Sequence, residues 1–236
     1  LEQKTAALDQ ILRAAGQIAI AYSGGVDSSL LVRRARDVLG APNVLAVISQ
    51  SESLTQESLE EATSAVHEWG VAVRVAITTE MENPDFVGNP PDRCYYCKRE
   101  LCRLLRREAE AFFGHLPLLA DGTQTDDDDD FRPGRRAARE AGVGSPLAEA
   151  GFTKADVRAL SQQLGIRGWT RPAEACLASR IPYGTPITRE LLRQVAAAEQ
   201  ALHAAGFTGC RVRHHGAIAR IEVPPADIPR LAGMAS

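Results

Sequence analysis

QIAIAYSGGVDSSLLVRRARDVLG, residues 17–40, decides the fold. QIAIAY is a short apolar run with the character of a buried strand. SGGVDSS breaks it, and SLLVRRARDVLG (29–40) returns to helical spacing. A loop between a strand and a helix lets the helix N-terminus face a ligand. Gly24 and Gly25 allow a tight turn and close approach of the backbone. Their N–H groups, the hydroxyls of Ser23, Ser28 and Ser29, and the helix N-terminus together make an anion site. Asp27 would repel a bare phosphate, so a Mg²⁺ ion between it and a nucleotide is the natural reading.

Working outward, Leu8, Ile11, Leu12 and Ala15 recur at helical spacing, which predicts a helix over 1–15. NVLAVIS (43–49) and VAVRVAI (71–77) read as strands around a helix at 51–70. A helix over 98–113 and a fourth strand in HLPLLADG (115–122) follow. This alternation predicts an α/β fold, a parallel sheet with helices on both faces. Its ligands bind beyond the carboxyl ends of the strands, where SGGVDSS and ADGTQTDD both lie. DDDDDFRPGRR (126–136) reads as a charged loop. TKADVRALSQQLG (153–165) reads as a helix with Thr153 and Asp156 as an approximate capping box. RPAEACLASRIPYGTPIT (171–188), with three prolines, reads as a long loop. An amphipathic helix over 188–206 and two strands around Gly216 complete a smaller α+β part. The expected division is a 1–180 domain and a 181–236 domain, with the boundary near 180–188. The first residue is not Met, so the chain is expected to be trimmed. The tail after Pro224 is short, so a final strand is expected to be missing.

The 236 residues, 44% hydrophobic and 24% charged, can bury a substantial core. A net charge of −3 gives no support for broad binding to nucleic acid. No apolar run approaches the roughly 18 residues that span a membrane. The amphipathic start is unlike a signal peptide. Five cysteines, an odd number without small-scaffold spacing, fit a reducing cytoplasm better than a disulfide framework.

SGGVDSS lacks the lysine of the GxxxxGK[ST] loop. It resembles the PP-loop, SGGxDS, of ATP pyrophosphatases. That likeness implies an adenine nucleotide alpha hydrolase-like fold and ATP at Ser23, Gly24, Gly25, Asp27, Ser28 and Ser29. It also implies cleavage of ATP between its α and β phosphates. More of the chain is similar to one family. AYSGGVDSSL, AVISQSE, DRCYYCK, DGTQTDDDDDFRPGRRAAREAG, ACLASRIPYGTPIT and GCRVRHHGAIARIEVP, spread over about 17–224, resemble the LarE family. These are ATP-dependent sulfur transferases of nickel-pincer nucleotide biosynthesis, serving lactate racemase. The resemblance implies that ATP adenylates a carboxylate of a pyridinium dicarboxylate mononucleotide. A sulfur nucleophile then displaces AMP and leaves a thiocarboxylate.

DRCYYCKRE (92–100) carries Cys94 and Cys97, a spacing open to several readings. A structural zinc site wants four ligands, and only Cys94, Cys97 and Cys102 lie nearby. A redox dithiol is a second reading. By the resemblance, Cys176 matches the family's sulfur-donor cysteine. Cys94, Cys97 and Cys176 together match its [4Fe–4S]-bearing branch, in which an open iron delivers hydrosulfide. Cys176 acting alone, sacrificed to dehydroalanine, stays open as an alternative. Cys102 and Cys210 read as packed core thiols.

Arg211 and Arg213 share a strand face and match family positions that grip the substrate phosphate. Glu199 and Glu222 match positions near the substrate, with an ordinary surface carboxylate as the alternative for each. Ser179 and Arg180 adjoin Cys176 and are expected by the reacting carboxylate, with Cys176 and Asp27 completing the catalytic set; a structural salt bridge is the other reading of Arg180. Asp121, Asp126 and Asp127 are further Mg²⁺ candidates or a solvated acidic loop. Tyr95 and Tyr96 suit the core or a stacked pyridinium ring, and Trp69 the core. The expected partners are a small-molecule nucleotide and a sulfide donor, with no nucleic acid and no membrane. The resemblance also implies a homo-oligomer. The rival readings are a tRNA-thiolating PP-loop enzyme, expected to show a basic surface or more cysteine pairs, and a nucleotide-binding module without catalysis.

Overall fold

In a computed structural model, which describes residues 1–52, 54–126, 133–170 and 175–234, β1 (Ile18–Ala21) is an inner strand of a four-stranded parallel sheet. With β2 (Val44–Gln50), β3 (Ala72–Ile77) and β4 (Leu118–Ala120) the order is β3-β2-β1-β4. Ile18 pairs with Val44 on one side and Leu118 on the other. The chain builds outward from β1 through β2 to β3, then returns to place β4 on the far side. The strand order therefore reverses beside β1, the place where such sheets leave a crevice at their carboxyl ends.

Both faces are covered, as the continuous apolar strands demand. Ile18, Ile20, Val44, Ala46 and Ile48 point into one core, with Leu8 and Leu12 of α1 (Glu2–Ala15) and Leu30 and Leu31 of α2 (Val26–Leu39). Leu59, Ala62 and Val66 of α3 (Gln56–Glu68) join the same cluster. Ala19, Ala21, Leu45 and Val47 point the other way. There they meet a second cluster, reached after α4 (Pro84–Val87) by Leu104, Leu105 and Ala109 of α5 (Arg93–Phe113) and Ala138 of α6 (Pro133–Glu140).

Beyond α7 (Pro146–Glu149), α8 (Lys154–Gln163) begins with the capping box read from the sequence. Thr153 Oγ1 accepts from Asp156 N, and Asp156 Oδ2 from Thr153 N. α9 (Arg189–Ala204) is N-capped by Thr188. β5 (Arg211–His215) and β6 (Ile218–Glu222) form an antiparallel hairpin, followed by α10 (Ile228–Met234). A third apolar cluster joins Phe86, Leu177, Ile181 and Ile187 to Leu192 and Val195, with Tyr96 and Cys97 packed against it. It draws on both sides of position 180. No helix among the described residues is long and apolar enough to cross a membrane.

Four helix starts differ from the sequence reading. α3 begins at Gln56 rather than 51, because Thr55 caps it by accepting from Ser58 N, and α6 begins at Pro133, inside the stretch read as a charged loop, since proline suits a first helical turn. α2 begins at Val26, so Asp27, Ser28 and Ser29 stand in its first turn. α5 begins at Arg93 rather than 98, so Cys94 and Cys97 ride on one turn of helix.

Candidate active site

SGGVDSS turns directly from β1 into α2. Gly24 has φ 77°, and a Cβ there would stand 3.1 Å from the Ala62 Cβ, so both conformation and space call for glycine. Ser23 Oγ accepts from Gly25 N at 3.3 Å, and Ser28 Oγ donates to Gly25 O at 3.1 Å. Ser29 is fixed by Tyr22 Oη at 3.2 Å. The N-cap of α2 is Gly25, which has no side chain to cap the helix. The first N–H groups of a helix lack intrahelical acceptors, so this end is left for an anion.

Asp27 faces the same end. Its Oδ2 accepts from Lys154 Nζ at 2.5 Å, and its Oδ1 is buried with no hydrogen-bond partner among the described residues. An unmatched buried carboxylate oxygen fits a cation bound with the nucleotide. Lys154 is a residue the sequence reading passed over. It opens α8, its own N–H bonded to Asp126 Oδ2 at 2.8 Å. A lysine in the first turn opposes the helix dipole, and that anomaly was the available signal.

The loop after β4 closes over the phosphate loop. A Cβ on Gly122 would lie 2.7 Å from Ser28 N, so only glycine permits this contact. Asp121, next to it, is buried and accepts from Lys98 Nζ at 2.7 Å, Ser145 Oγ at 3.1 Å and Thr123 N at 3.1 Å. Burial pushes the Asp121 carboxyl up, but the Lys98 charge and the hydrogen bonds from Lys98 and Thr123 outweigh it and hold the group below its ordinary range. Lys98 is one turn beyond Cys94 on α5, so the cysteine helix is tied to the nucleotide loop. A cleft of about 200 Å³ beside Asp121 is lined in part by Arg135 and Arg139. Asp121 and Asp126 thus already serve protein donors, and Asp127 lies outside the described residues.

Cys94, Cys97 and Cys176 come within electrostatic reach of one another, and all are free thiols. Burial pushes the Cys97 thiol well above its ordinary range, and the hydrogen-bonded Glu80 beside it, itself buried, pushes further. Cys176 is exposed at the head of the 3₁₀ turn Leu177–Arg180. Crowding by surrounding protein raises its thiol, and the charge of Arg93 opposes that rise. Among the described residues no three His, Cys, Asp or Glu groups converge on a single metal ion. A zinc site needs that convergence, with sulfurs about 4 Å apart. A [4Fe–4S] cluster takes its thiolates on separate irons, and Cys94, Cys97 and Cys176 are the candidate ligands for one. Cys102 and Cys210 are buried, consistent with packed thiols.

Arg180 and Glu199 face each other. The pair is bidentate, Nε to Oε1 at 2.8 Å and Nη2 to Oε2 at 3.2 Å, and both residues are buried. Arg180 Nη1 reaches Ala175 O and Ser179 Oγ, while Glu199 Oε1 also accepts from Val212 N at 2.9 Å. The pair thereby braces the Cys176 turn against α9 and β5. On the hairpin, Arg213 donates to Glu222 Oε1 at 2.8 Å and to Ser179 O at 3.3 Å. The hydrogen bond from Arg213, with another from Arg220, lowers the Glu222 carboxyl to about 2. Arg211 pairs in register with Glu222. Tyr95 bonds Glu140, Tyr96 packs on the third cluster, and Trp69 packs on the first.

A parallel sheet with its switch point at an uncapped, glycine-led helix start, facing an aspartate and a lysine, is the architecture of the PP-loop nucleotide-binding class. The comparisons agree. Over 228 residues the chain is 41% identical to the pyridinium-3,5-bisthiocarboxylic acid mononucleotide synthase of Lactiplantibacillus plantarum, covering 97% of this chain and 82% of that protein. It is 45% identical to an uncharacterized protein of Synechocystis sp., covering 97% of this chain and 84% of that one. A 75-residue segment is 32% identical to the NH(3)-dependent NAD(+) synthetase of Chlorobaculum tepidum, covering 32% of this chain and 27% of that enzyme. No model of a protein family matches. The chain belongs to the LarE family of ATP-dependent sulfur transferases.

Proposed function

We propose that this chain converts carboxylates of pyridinium-3,5-biscarboxylic acid mononucleotide to thiocarboxylates at the expense of ATP. What carries the reading is the near-full-length relationship to a synthase of that bisthiocarboxylate, in a chain whose cysteine-bearing helix is tied through Lys98 and Asp121 to the loop packed on the phosphate loop. The phosphates of ATP would lie on the start of α2, over Ser23, Gly24, Gly25, Ser28 and Ser29. Asp27 would hold Mg²⁺, which supplies charge neutralisation of the phosphates. Lys154, already poised on Asp27, adds a positive charge for the departing pyrophosphate.

A carboxylate oxygen of the substrate attacks the α-phosphorus, and the bond to pyrophosphate breaks. A sulfur nucleophile then adds to the acyl carbon, and the acyl C–O bond breaks to release AMP. Arg211 and Arg213 would grip the substrate phosphate. Glu222 holds the Arg213 fork in place, so its task is orientation. Arg180 and Glu199 position the Cys176 turn, with Ser179 between that turn and the hairpin. Cys94, Cys97 and Cys176 would hold a [4Fe–4S] cluster, which supplies transferable sulfide when bound. The exposure of Cys176 supports a second reading, in which its own sulfur is given up and the residue is left as dehydroalanine.

The test is turnover with anaerobically purified protein, Mg-ATP, the mononucleotide and sulfide. The thiocarboxylate and AMP should appear together, more than one per chain. About four irons and four sulfides per chain would accompany catalytic transfer. A single turnover with Cys176 lighter by the mass of H₂S would select the sacrificial route. AMP formation without any sulfur product would overturn the assignment.

A further inference from the structure

The cysteines stand on two segments far apart in sequence, and one buried side chain joins them. Asn89 is fully buried, and it is the one non-glycine among the described residues with positive φ, at 54°. Asparagine tolerates that conformation when its amide finds local partners. Here Nδ2 donates to Pro182 O at 2.8 Å and Thr185 O at 2.9 Å, with Ile181 O at 3.4 Å. Oδ1 accepts from Arg93 Nη1 at 2.5 Å. The Asn89 carbonyl accepts from Gly184 N at 3.0 Å, and Val87 O from Ile187 N at 2.8 Å.

The chemistry of the partner loop explains why a side chain is needed. Pro182 and Pro186 lack N–H groups, so 181–187 cannot pair as a regular ladder, and its inward carbonyls need outside donors. Asn89 supplies them. Arg93, one residue before Cys94, is buried, and its guanidinium stacks 5.0 Å from the Tyr183 ring. Among the described residues no carboxylate forms an ion pair with it. The segment leading into Cys94 and Cys97 is thus fastened to the loop that follows Cys176 by an amide, a guanidinium and two backbone bonds.

We propose that Asn89 and Arg93 are positioning residues that set where Cys176 stands relative to Cys94 and Cys97, gathering the thiols before any ligand arrives. The importance of that spacing rests on the sulfur-transfer reading above, but its measurement does not.

The probe is dibromobimane, which fluoresces on bridging two nearby thiols, applied to ligand-free Cys97→Ser protein. This leaves the exposed pair Cys94 and Cys176, with Cys102 and Cys210 buried. Bridging should be rapid. Adding Asn89→Gly, which keeps the backbone conformation and removes the amide, should slow bridging at least fivefold. Single-thiol alkylation by monobromobimane and the Mg-ATP shift in Tm should stay within twofold. Arg93→Met should slow bridging in the same way, and Arg93→Lys should restore most of it. Equal bridging with and without the Asn89 amide would overturn the proposal, as would a Cys97→Ser parent that does not bridge. Loss of the Mg-ATP shift together with bridging would also overturn it, since Asn89 would then hold the fold rather than place Cys176. Iron and sulfide content of the unsubstituted protein reports on the cluster separately.

Discussion

Gly122→Ala adds one methyl group where three backbone atoms of the phosphate loop stand too close. The new Cβ would meet Ser28 N at 2.7 Å, Ser28 Cα at 3.0 Å and the Asp27 carbonyl carbon at 3.1 Å. Ordinary contact begins at 3.4 Å, so the start of α2 or the β4 loop must yield by about 0.7 Å. No flexible side-chain tip can absorb this, because every neighbour is backbone. Overpacking of this kind costs about 1–3 kcal/mol. For a chain of this size that lowers Tm by roughly 2–12 °C. The functional loss should be larger, because the displaced N–H groups are the proposed phosphate ligands. A misplacement on the order of 1 Å at a reacting centre costs about 100-fold in rate. Scanning fluorimetry with and without Mg-ATP, beside AMP release, separates the two effects. The expected result is a modest Tm loss, a much smaller ATP-induced shift, and AMP formation down by about 10- to 100-fold. Gly233→Ala is the control, since nothing lies within 4 Å of its Cβ position and its φ is ordinary. If Gly122→Ala bound ATP and released AMP within twofold of its parent, the close approach of these loops would be irrelevant to the site.

Cys94→Ala or Cys97→Ala should abolish iron and sulfide incorporation while the ATP-induced rise in Tm persists; full iron retention in both would remove the cluster from the account. Glu199→Gln keeps an acceptor for Val212 N but strands the buried Arg180 charge, at a cost of about 3–5 kcal/mol. Its Tm should drop by roughly 6–20 °C, and a loss below 2 °C would mean that the pair braces nothing. The Glu222 carboxyl, held near 2 by Arg213 and Arg220, adds stability that is complete above its unfolded pKa and fades as pH falls toward 2. The Tm deficit of Glu222→Gln should therefore be flat from pH 8 to about 5 and narrow below that, whereas a deficit unchanged at pH 3 would contradict the pairing.

Most of the sheet was legible because its inner strands β1 and β2 are buried along nearly all their length and read as unbroken apolar runs between glycine stops. The phosphate loop was legible for a related reason, as its function depends on local backbone geometry that a few adjacent residues specify. Side-chain roles set by distant partners were not. Arg180 read as substrate-facing or as half of a salt bridge, and Glu199 as substrate-facing or a surface carboxylate; in the fold each is the other's counter-charge, a pairing between positions 19 residues apart that no local pattern encodes. Lys154 looked like an ordinary helix residue because its partner, Asp27, lies 127 residues away. Asn89 was hidden for the opposite reason: an asparagine between a glycine and two prolines suits any turn, so its residue type alone raises no question. What marks it as more than a turn residue is complete burial with both ends of its amide engaged, and that exists only once residues 181–187 have folded against it. The cysteines fall between these cases. Cys94 and Cys97 announce themselves by spacing, but what gives them a third thiol is the joining of two segments about 80 residues apart, and that joining is the work of apolar packing and Asn89 rather than of the cysteines themselves.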